Sequence, residues 1–244
     1  MVEPEQSPGT ITLHHLSSSA SFRVLWALEE LSPAGLQYNL KYYERQKGRA
    51  PEELKAIFPL GKAPILVIEP VAGLSNEKPT VVVESRIILQ YIADTYSNGI
   101  WTPSSEDRTR SEYFQEFCVA TLNGKVDAVL YLDSIPPFLP FIVRPIFGPF
   151  CRAVASIHKK ALDGPFELME KALSEEKPWF AGQKIGLADF LISFSMDISE
   201  QRKYFDAEKY PKLQDWMERV HKRPAYQRAL EKGGSYDLAT FDTK

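Results

Sequence analysis

The stretch Gly61–Tyr96 opens with GKAPIL (61–66) and closes with VVVESRIILQYIADTY (81–96), and its reading decides the fold. Ala63–Pro64 places a proline where an apolar strand begins, a position at which a cis bond can fix a turn. Val81, Val82 and Val83 form a β-branched run that suits a buried strand. At Glu84–Ser85 the period changes: Ile87, Ile88, Tyr91, Ile92 and Tyr96 fall on one helical stripe. A strand that passes into a helix through an acid and a hydroxyl makes a small polar receptor. Its hydroxyl and the helix's positive end suit a carboxylate, and its acid suits an ammonium.

Working outward, Thr10–Leu16 (TITLHHL) reads as a first strand, followed by a serine-rich loop at 17–21 and a helix over about 22–31. Gln37–Tyr43 returns to an extended pattern, and Pro51 opens a short helix, PEELKAI, with acids in its first turn. The order strand, helix, strand, helix, strand, strand, helix is that of a thioredoxin-like domain, here expected over 10–96. Ser97–Glu106 reads as a linker. Beyond it the pattern is helical: one long run over 107–132, another over 152–174, and a helix opening at Gly186-Leu187-Ala188-Asp189, where Asp189 stands at the capping-box position. Two short helices and Gly233–Gly234 close an all-helical domain expected over 106–235, which leaves 1–9 and 236–244 as tails.

Composition excludes several classes. A net charge of −3 over 244 residues gives no support to a nucleic-acid binder. Cys118 and Cys151 make neither a metal pattern nor a disulfide framework, and His14 and His15 lack partners at ligand spacing, so no metal is expected. The opening MVEPEQSPGT has no hydrophobic run, so no secretory signal is read there and a cytoplasmic location is expected. Ile135–Cys151 (IPPFLPFIVRPIFGPFC) is apolar but too short to span a bilayer and is broken by prolines. It reads as a buried loop or pocket wall, with contact at a membrane surface as the alternative.

A thioredoxin-like half followed by an all-helical half resembles the cytosolic glutathione transferase superfamily. LHHLSSSASFRVLWALEEL, PLGKAPIL, VVVES and GQKIGLADF carry the resemblance over about residues 10–234, and the ending HKRPAYQRALEKGG is similar to its bacterial and fungal serine-type branch. The resemblance implies glutathione as co-substrate, a homodimer and no metal. It implies that the backbone before a cis Pro64, at Ala63, pairs with the cysteinyl unit. Glu84 and Ser85 would receive the γ-glutamyl ammonium and carboxylate, and Lys62 would meet the glycine carboxylate. The bottom-up reading of the Glu84–Ser85 receptor agrees with that assignment.

The implied chemistry stabilises a thiolate, the true nucleophile. One hydroxyl aimed at sulfur, worth about 1.5–3 kcal/mol, lowers a thiol pKa by about one to two units. Ser17, Ser18, Ser19 and Ser21 compete for that task. Laying the branch's loop (serine, arginine, serine, any residue, arginine) on Arg23 places its first serine at Ser19; other serine classes favour Ser18 as second choice. The branch's first arginine is Ala20 here, and at least one serine is expected to be only the cap of the helix. No tyrosine or cysteine stands in this loop, which disfavours classes that use them. Tyr113, Phe117, Phe138 and Phe141 are the candidates to wall an apolar electrophile site. The expected activity is conjugation of glutathione to hydrophobic electrophiles or reduction of organic hydroperoxides. A non-catalytic glutathione-fold ligand binder or regulatory protein is the alternative.

Overall fold

The computed structural model describes residues 9–46, 48–70, 78–136 and 139–241. They divide into two compact units: the described residues up to Thr102 together with those from Val220 on, and Pro103–Arg219.

The first unit is built on a four-stranded sheet in the order β2-β1-β3-β4, from β1 (Thr10–Leu16), β2 (Tyr38–Tyr43), β3 (Ile65–Glu69) and β4 (Thr80–Val83). β1 and β2 run parallel because α1 (Phe22–Leu31) crosses over between them, whereas β1–β3 and β3–β4 are antiparallel. Leu13 and Leu66 pair across β1 and β3 with no exposed surface. The register His14↔Ile65 and Ile65↔Val83 aligns the end of β1, the start of β3 and the end of β4. The loop after Leu16, the Ala63–Pro64 turn and the Glu84–Ser85 junction therefore leave the sheet at one edge. The short helix expected at PEELKAI is a 3-10 turn, Glu52–Ala56. α2 (Ser85–Tyr96) follows β4 directly.

The second unit is built from helices, with a single β-bridge, Trp179↔Gly182, among its described residues. The long run expected over 107–132 is α3 (Arg108–Phe117) and α4 (Asn123–Ser134), joined without a break by a π segment, Cys118–Leu122. α5 (Arg144–Lys160), α6 (Asp163–Ala172) and α7 (Leu187–Gln201) follow. Asp189 lies at the third position of α7, fully buried. Its carboxylate accepts N–H bonds from Gly186 (3.1 Å), Ala181 (3.2 Å), Phe180 (2.9 Å) and the Trp216 indole (2.9 Å). Burial pushes this carboxyl up to about 6, while the four donors pull the other way. One acid thus gathers the α7 start, the 180–181 turn and α8 (Pro211–His221).

The chain end departs from the sequence reading, which gave 106–235 to the helical domain and 236–244 to a tail. α9 (Pro224–Gly233) packs on α1 within the first unit. Glu29, whose side chain is fully buried, meets Arg228 Nε at 3.0 Å and Lys232 Nζ at 2.6 Å, and also accepts the Tyr38 hydroxyl. Burial opposes ionisation of Glu29, but bonds from Lys232, Tyr38 and Arg228 hold its carboxyl below the ordinary range. Arg223 clasps Glu30 at 2.5 and 2.7 Å. Beyond α9, Leu238 is fully buried and Tyr236 stacks on Phe22 with ring centroids 4.0 Å apart, so residues 236–241 are packed rather than loose. Acids on a buried helix need cations; α9 supplies those of Glu29, and Arg223, just before α9, supplies that of Glu30.

Candidate functional site

The Ala63–Pro64 bond is cis, and Pro64 is buried at the foot of β3. Across the β3–β4 ladder stands Glu84, at φ 69° and ψ 120°, a conformation that a residue with a Cβ adopts only at a cost of about 1–3 kcal/mol. The bend sends the chain from strand to helix at once and leaves the Glu84 side chain exposed. Glu84 itself is the cap residue of α2, but it makes no side-chain cap bond, and the first turn contains no acid. Ser85 is therefore the first helical residue rather than the cap. Among the described residues, neither the Ser85 hydroxyl nor the Glu84 carboxylate takes a protein partner. A free acid, a free hydroxyl and an unneutralised helix start stand together, the arrangement a zwitterionic amino-acid head requires. Lys62 is exposed immediately before Ala63.

Each loop serine has its own partner. Ser17 Oγ accepts the Arg45 backbone N–H at 3.2 Å. Ser18, at φ 48°, is fully buried; its hydroxyl accepts the Asp237 N–H at 3.0 Å and donates to Ser235 O at 3.3 Å. Ser19 Oγ reaches Leu16 O at 2.8 Å and Ser21 Oγ at 2.7 Å, and accepts the Ser21 N–H at 3.2 Å. Ser21 stands at the cap position of α1 but makes no side-chain cap bond. Its hydroxyl turns instead to His15 Nδ1 at 2.8 Å. The expectation that one serine is simply the helix cap therefore fails for Ser21, because its oxygen accepts the Leu16 N–H instead of an α1 amide.

His15 fixes the direction of this chain. Its Nε2 lies 3.0 Å from Gly233 O, which only accepts, so Nε2 carries the proton and Nδ1 of the neutral ring accepts from Ser21. Burial pushes the imidazole down to about 4, against the pull of its bonds to Gly233 and Ser21. With its proton given to His15, Ser21 Oγ is left to accept the Leu16 N–H and the Ser19 hydroxyl. Ser19 thus carries a proton with two exchangeable acceptors and can turn it outward without leaving a buried donor unpaired.

Arg45 and the chain end were not foreseen. The Arg45 guanidinium donates to Ser17 O (3.2 Å), Ser18 O (2.9 Å) and Gly48 O (3.0 Å), and so holds the loop from the β2 side. Gly234, at φ 68°, turns the chain after α9 across Tyr42; a Cβ there would lie 2.7 Å from the Tyr42 hydroxyl. That turn delivers Ser235–Asp237 to Ser18. A lone arginine after a strand carries no sequence signal for this task, and neither does a short polar end; only the Gly233–Gly234 pair marks the turn.

The electrophile-site candidates are not brought into one group. Tyr113 and Phe117 stack on α3, ring centroids 6.0 Å apart, with Phe117 buried against Phe114 and Tyr113 half exposed. Phe141 lies on the turn before α5 and is 80% exposed, while Phe138 lies outside the described residues. Among the described residues no group of three or more potential ligands could hold a metal ion, and no helix is long and apolar enough to cross a membrane.

Comparison with known proteins places this geometry in a class. Residues 9–94 match the model of the glutathione S-transferase N-terminal domain and residues 135–224 that of its C-terminal domain. The chain is 31% identical to glutathione S-transferase 3 of Schizosaccharomyces pombe over 95% of this chain and 91% of that one. A glutathione S-transferase structure from Actinobacillus pleuropneumoniae superimposes with a TM-score of 0.70 at 31% identity, covering 94% of this chain and 96% of the other. A glutathione transferase family member from Pseudomonas fluorescens with two glutathione bound has the same fold, with a TM-score of 0.66 at 19% identity over 95% of each chain. The chain belongs to the glutathione S-transferase family.

Proposed function

We propose that the protein is a glutathione transferase that binds glutathione at the sheet edge formed by Lys62–Pro64 and Glu84–Ser85. One observation carries the reading: a strained, exposed Glu84 and an unengaged Ser85 at the start of α2, set by the strand register opposite the Pro64 turn. Glu84 takes the γ-glutamyl ammonium, and Ser85 with the α2 amides takes the carboxylate. The Ala63 backbone pairs with the cysteinyl unit, and Lys62 approaches the glycine carboxylate. The glutathione bound to the Pseudomonas fluorescens relative supports the choice of ligand. Ser19 then turns its proton from Leu16 O or Ser21 Oγ to the thiol sulfur, and the α1 start, which has no acid in its first turn, favours the thiolate.

The thiolate attacks a hydrophobic electrophile or reduces an organic hydroperoxide. The working form is a cytoplasmic homodimer engaged in detoxification, a reading that rests on the family. Purified protein supplied with glutathione and a generic aromatic electrophile should turn over. Glutathione binding without turnover on that electrophile or on a hydroperoxide would overturn the enzyme reading. It would favour the second one, a non-catalytic glutathione-binding protein. Ser18 motivates that alternative, because its hydroxyl is tied to Ser235 and Asp237.

A further inference from the structure

The loop that carries Ser19 is held from outside itself. Every backbone polar atom of Ser17 and Ser18 bonds beyond the loop. Ser17 N–H donates to Tyr43 O at 2.9 Å and Ser18 N–H to Ser235 O at 3.0 Å, while both carbonyls accept from the Arg45 guanidinium. Ser19, in contrast, bonds only to Leu16, Ser21 and Phe22 among the described residues. Ser18 has φ 48°, in the left-handed region that a residue with a Cβ leaves unless its neighbours hold it there. A return to ordinary φ is a rotation of about 110° at the residue before Ser19, and it would swing the Ser19 hydroxyl to a new place.

Much of that hold comes from the chain end, 235–241. Asp237 N–H donates to Ser18 Oγ at 3.0 Å, and the Ser18 hydroxyl in turn donates to Ser235 O. The Asp237 carboxylate accepts the N–H groups of Ala239 (3.0 Å) and Thr240 (2.9 Å) and the Thr240 hydroxyl, which closes 237–241 into one turn. Through that turn Leu238 enters the core with no exposed surface, and the Phe241 ring comes to 5.2 Å from the Arg45 guanidinium. The end therefore meets the loop twice, directly at Ser18 and through Phe241 on Arg45. No hydrogen bond joins it to Lys62–Pro64 or Glu84–Ser85 among the described residues. We propose that residues 235–241 are a clamp on the serine loop, with Asp237 as its positioning residue, which holds Ser18 left-handed and so presents the Ser19 hydroxyl to the thiol. The inference rests on the reading that Ser19 activates the thiol.

Full-length variants test it. Leu238→Asp puts a charge where a side chain is fully buried and should drive the end off the loop. Asp237→Ala opens the turn more gently, and Asp237→Asn keeps an acceptor for the two N–H groups. Ultraviolet titration should find the thiol of bound glutathione less acidic in Leu238→Asp, by as much as in Ser19→Ala, with kcat/KM lower by up to about tenfold. Asp237→Ala should lose about threefold, Asp237→Asn should match the wild type, and glutathione affinity should stay within about twofold throughout. Added to Ser19→Ala, Leu238→Asp should shift the thiol no further, because both act through one hydroxyl. If Ser19→Ala shifts the thiol and neither Leu238→Asp nor Asp237→Ala does, the clamp is overturned and the Ser19 reading stands; a lowered melting temperature alone is that result. A further shift on top of Ser19→Ala also overturns the clamp. An unchanged thiol in Ser19→Ala overturns the Ser19 reading and the clamp with it. Should Leu238→Asp not fold, Asp237→Ala and its Asn rescue decide.

Discussion

Ser19→Ala removes the hydroxyl assigned to the thiolate, and its effect can be worked from the bonds that Ser19 makes. A hydroxyl bond to a charged acceptor contributes about 1.5–3 kcal/mol. Ser19 cannot deliver all of this, because its proton is already placed on Leu16 O at 2.8 Å or Ser21 Oγ at 2.7 Å. Giving up such a neutral bond costs about 1 kcal/mol, leaving a net of about 0.5–2 kcal/mol. Divided by 1.36 kcal/mol per unit, the bound thiol should rise by about 0.4–1.5 pKa units in Ser19→Ala. At a pH below the thiol's pKa, a one-unit rise lowers the thiolate fraction and kcat/KM together by about tenfold. Ultraviolet titration of the thiolate of bound glutathione measures the shift directly. Ser18→Ala is the comparison: its hydroxyl is committed to Asp237 N–H and Ser235 O, and the thiol pKa should stay where it is. An unchanged pKa in Ser19→Ala, or a shift in Ser18→Ala, would refute the assignment and with it the argument from exchangeable acceptors.

Glu84→Gly should separate stability from binding. It relieves a positive φ that costs about 1–3 kcal/mol and adds a glycine entropy cost of about 0.5–1 kcal/mol, so the protein should melt slightly higher while calorimetry finds weaker glutathione binding. A destabilised variant, or unaltered affinity, would mean that the bend serves the fold alone. His15 makes acid sensitivity specific. Its folded pKa near 4 lies below the ordinary 6.5, so the unfolded chain binds the proton first between those values. Its contribution, about 3 kcal/mol, is complete above about pH 6.5 and is lost as pH falls through 4. Denaturant titrations of wild type and His15→Gln should differ in slope across that window, and parallel curves would refute the burial argument.

Much of the fold was legible because it is written in local periodicity. The change from the Val81–Val83 run to the helical stripe of 87–96 needs only the difference between two-residue and 3.6-residue repeats, and β4 and α2 fall there. The juxtaposition of Pro64, Glu84 and Ser85 was legible for a similar reason. Pro64, Glu84 and Ser85 are brought together by one antiparallel ladder whose register follows from short strands. The capping-box acid Asp189 was also visible, since its partner Gly186 is three residues away.

What the sequence by itself determined, then, is the set of elements and the residues that stand at the Pro64 and Glu84–Ser85 junctions. Only the tertiary structure decided how the four loop serines divide their tasks, because the groups that claim Ser17 and Ser18, and the carbonyl that sets His15, are remote in sequence. Arg45 claims Ser17, Asp237 claims Ser18, and His15, itself set by Gly233, claims Ser21. A hydroxyl has one proton and no sequence preference for where it goes; its direction is fixed by whichever acceptor the fold brings within 3 Å. The same holds for the chain end, where buried Glu29 obtained its cations from α9 and partly buried Glu30 from Arg223 just before it. It holds as well for the apolar run at 135–151, which reads in sequence as a buried loop or pocket wall, whereas α5 turns Ile146, Phe147 and Phe150 outward.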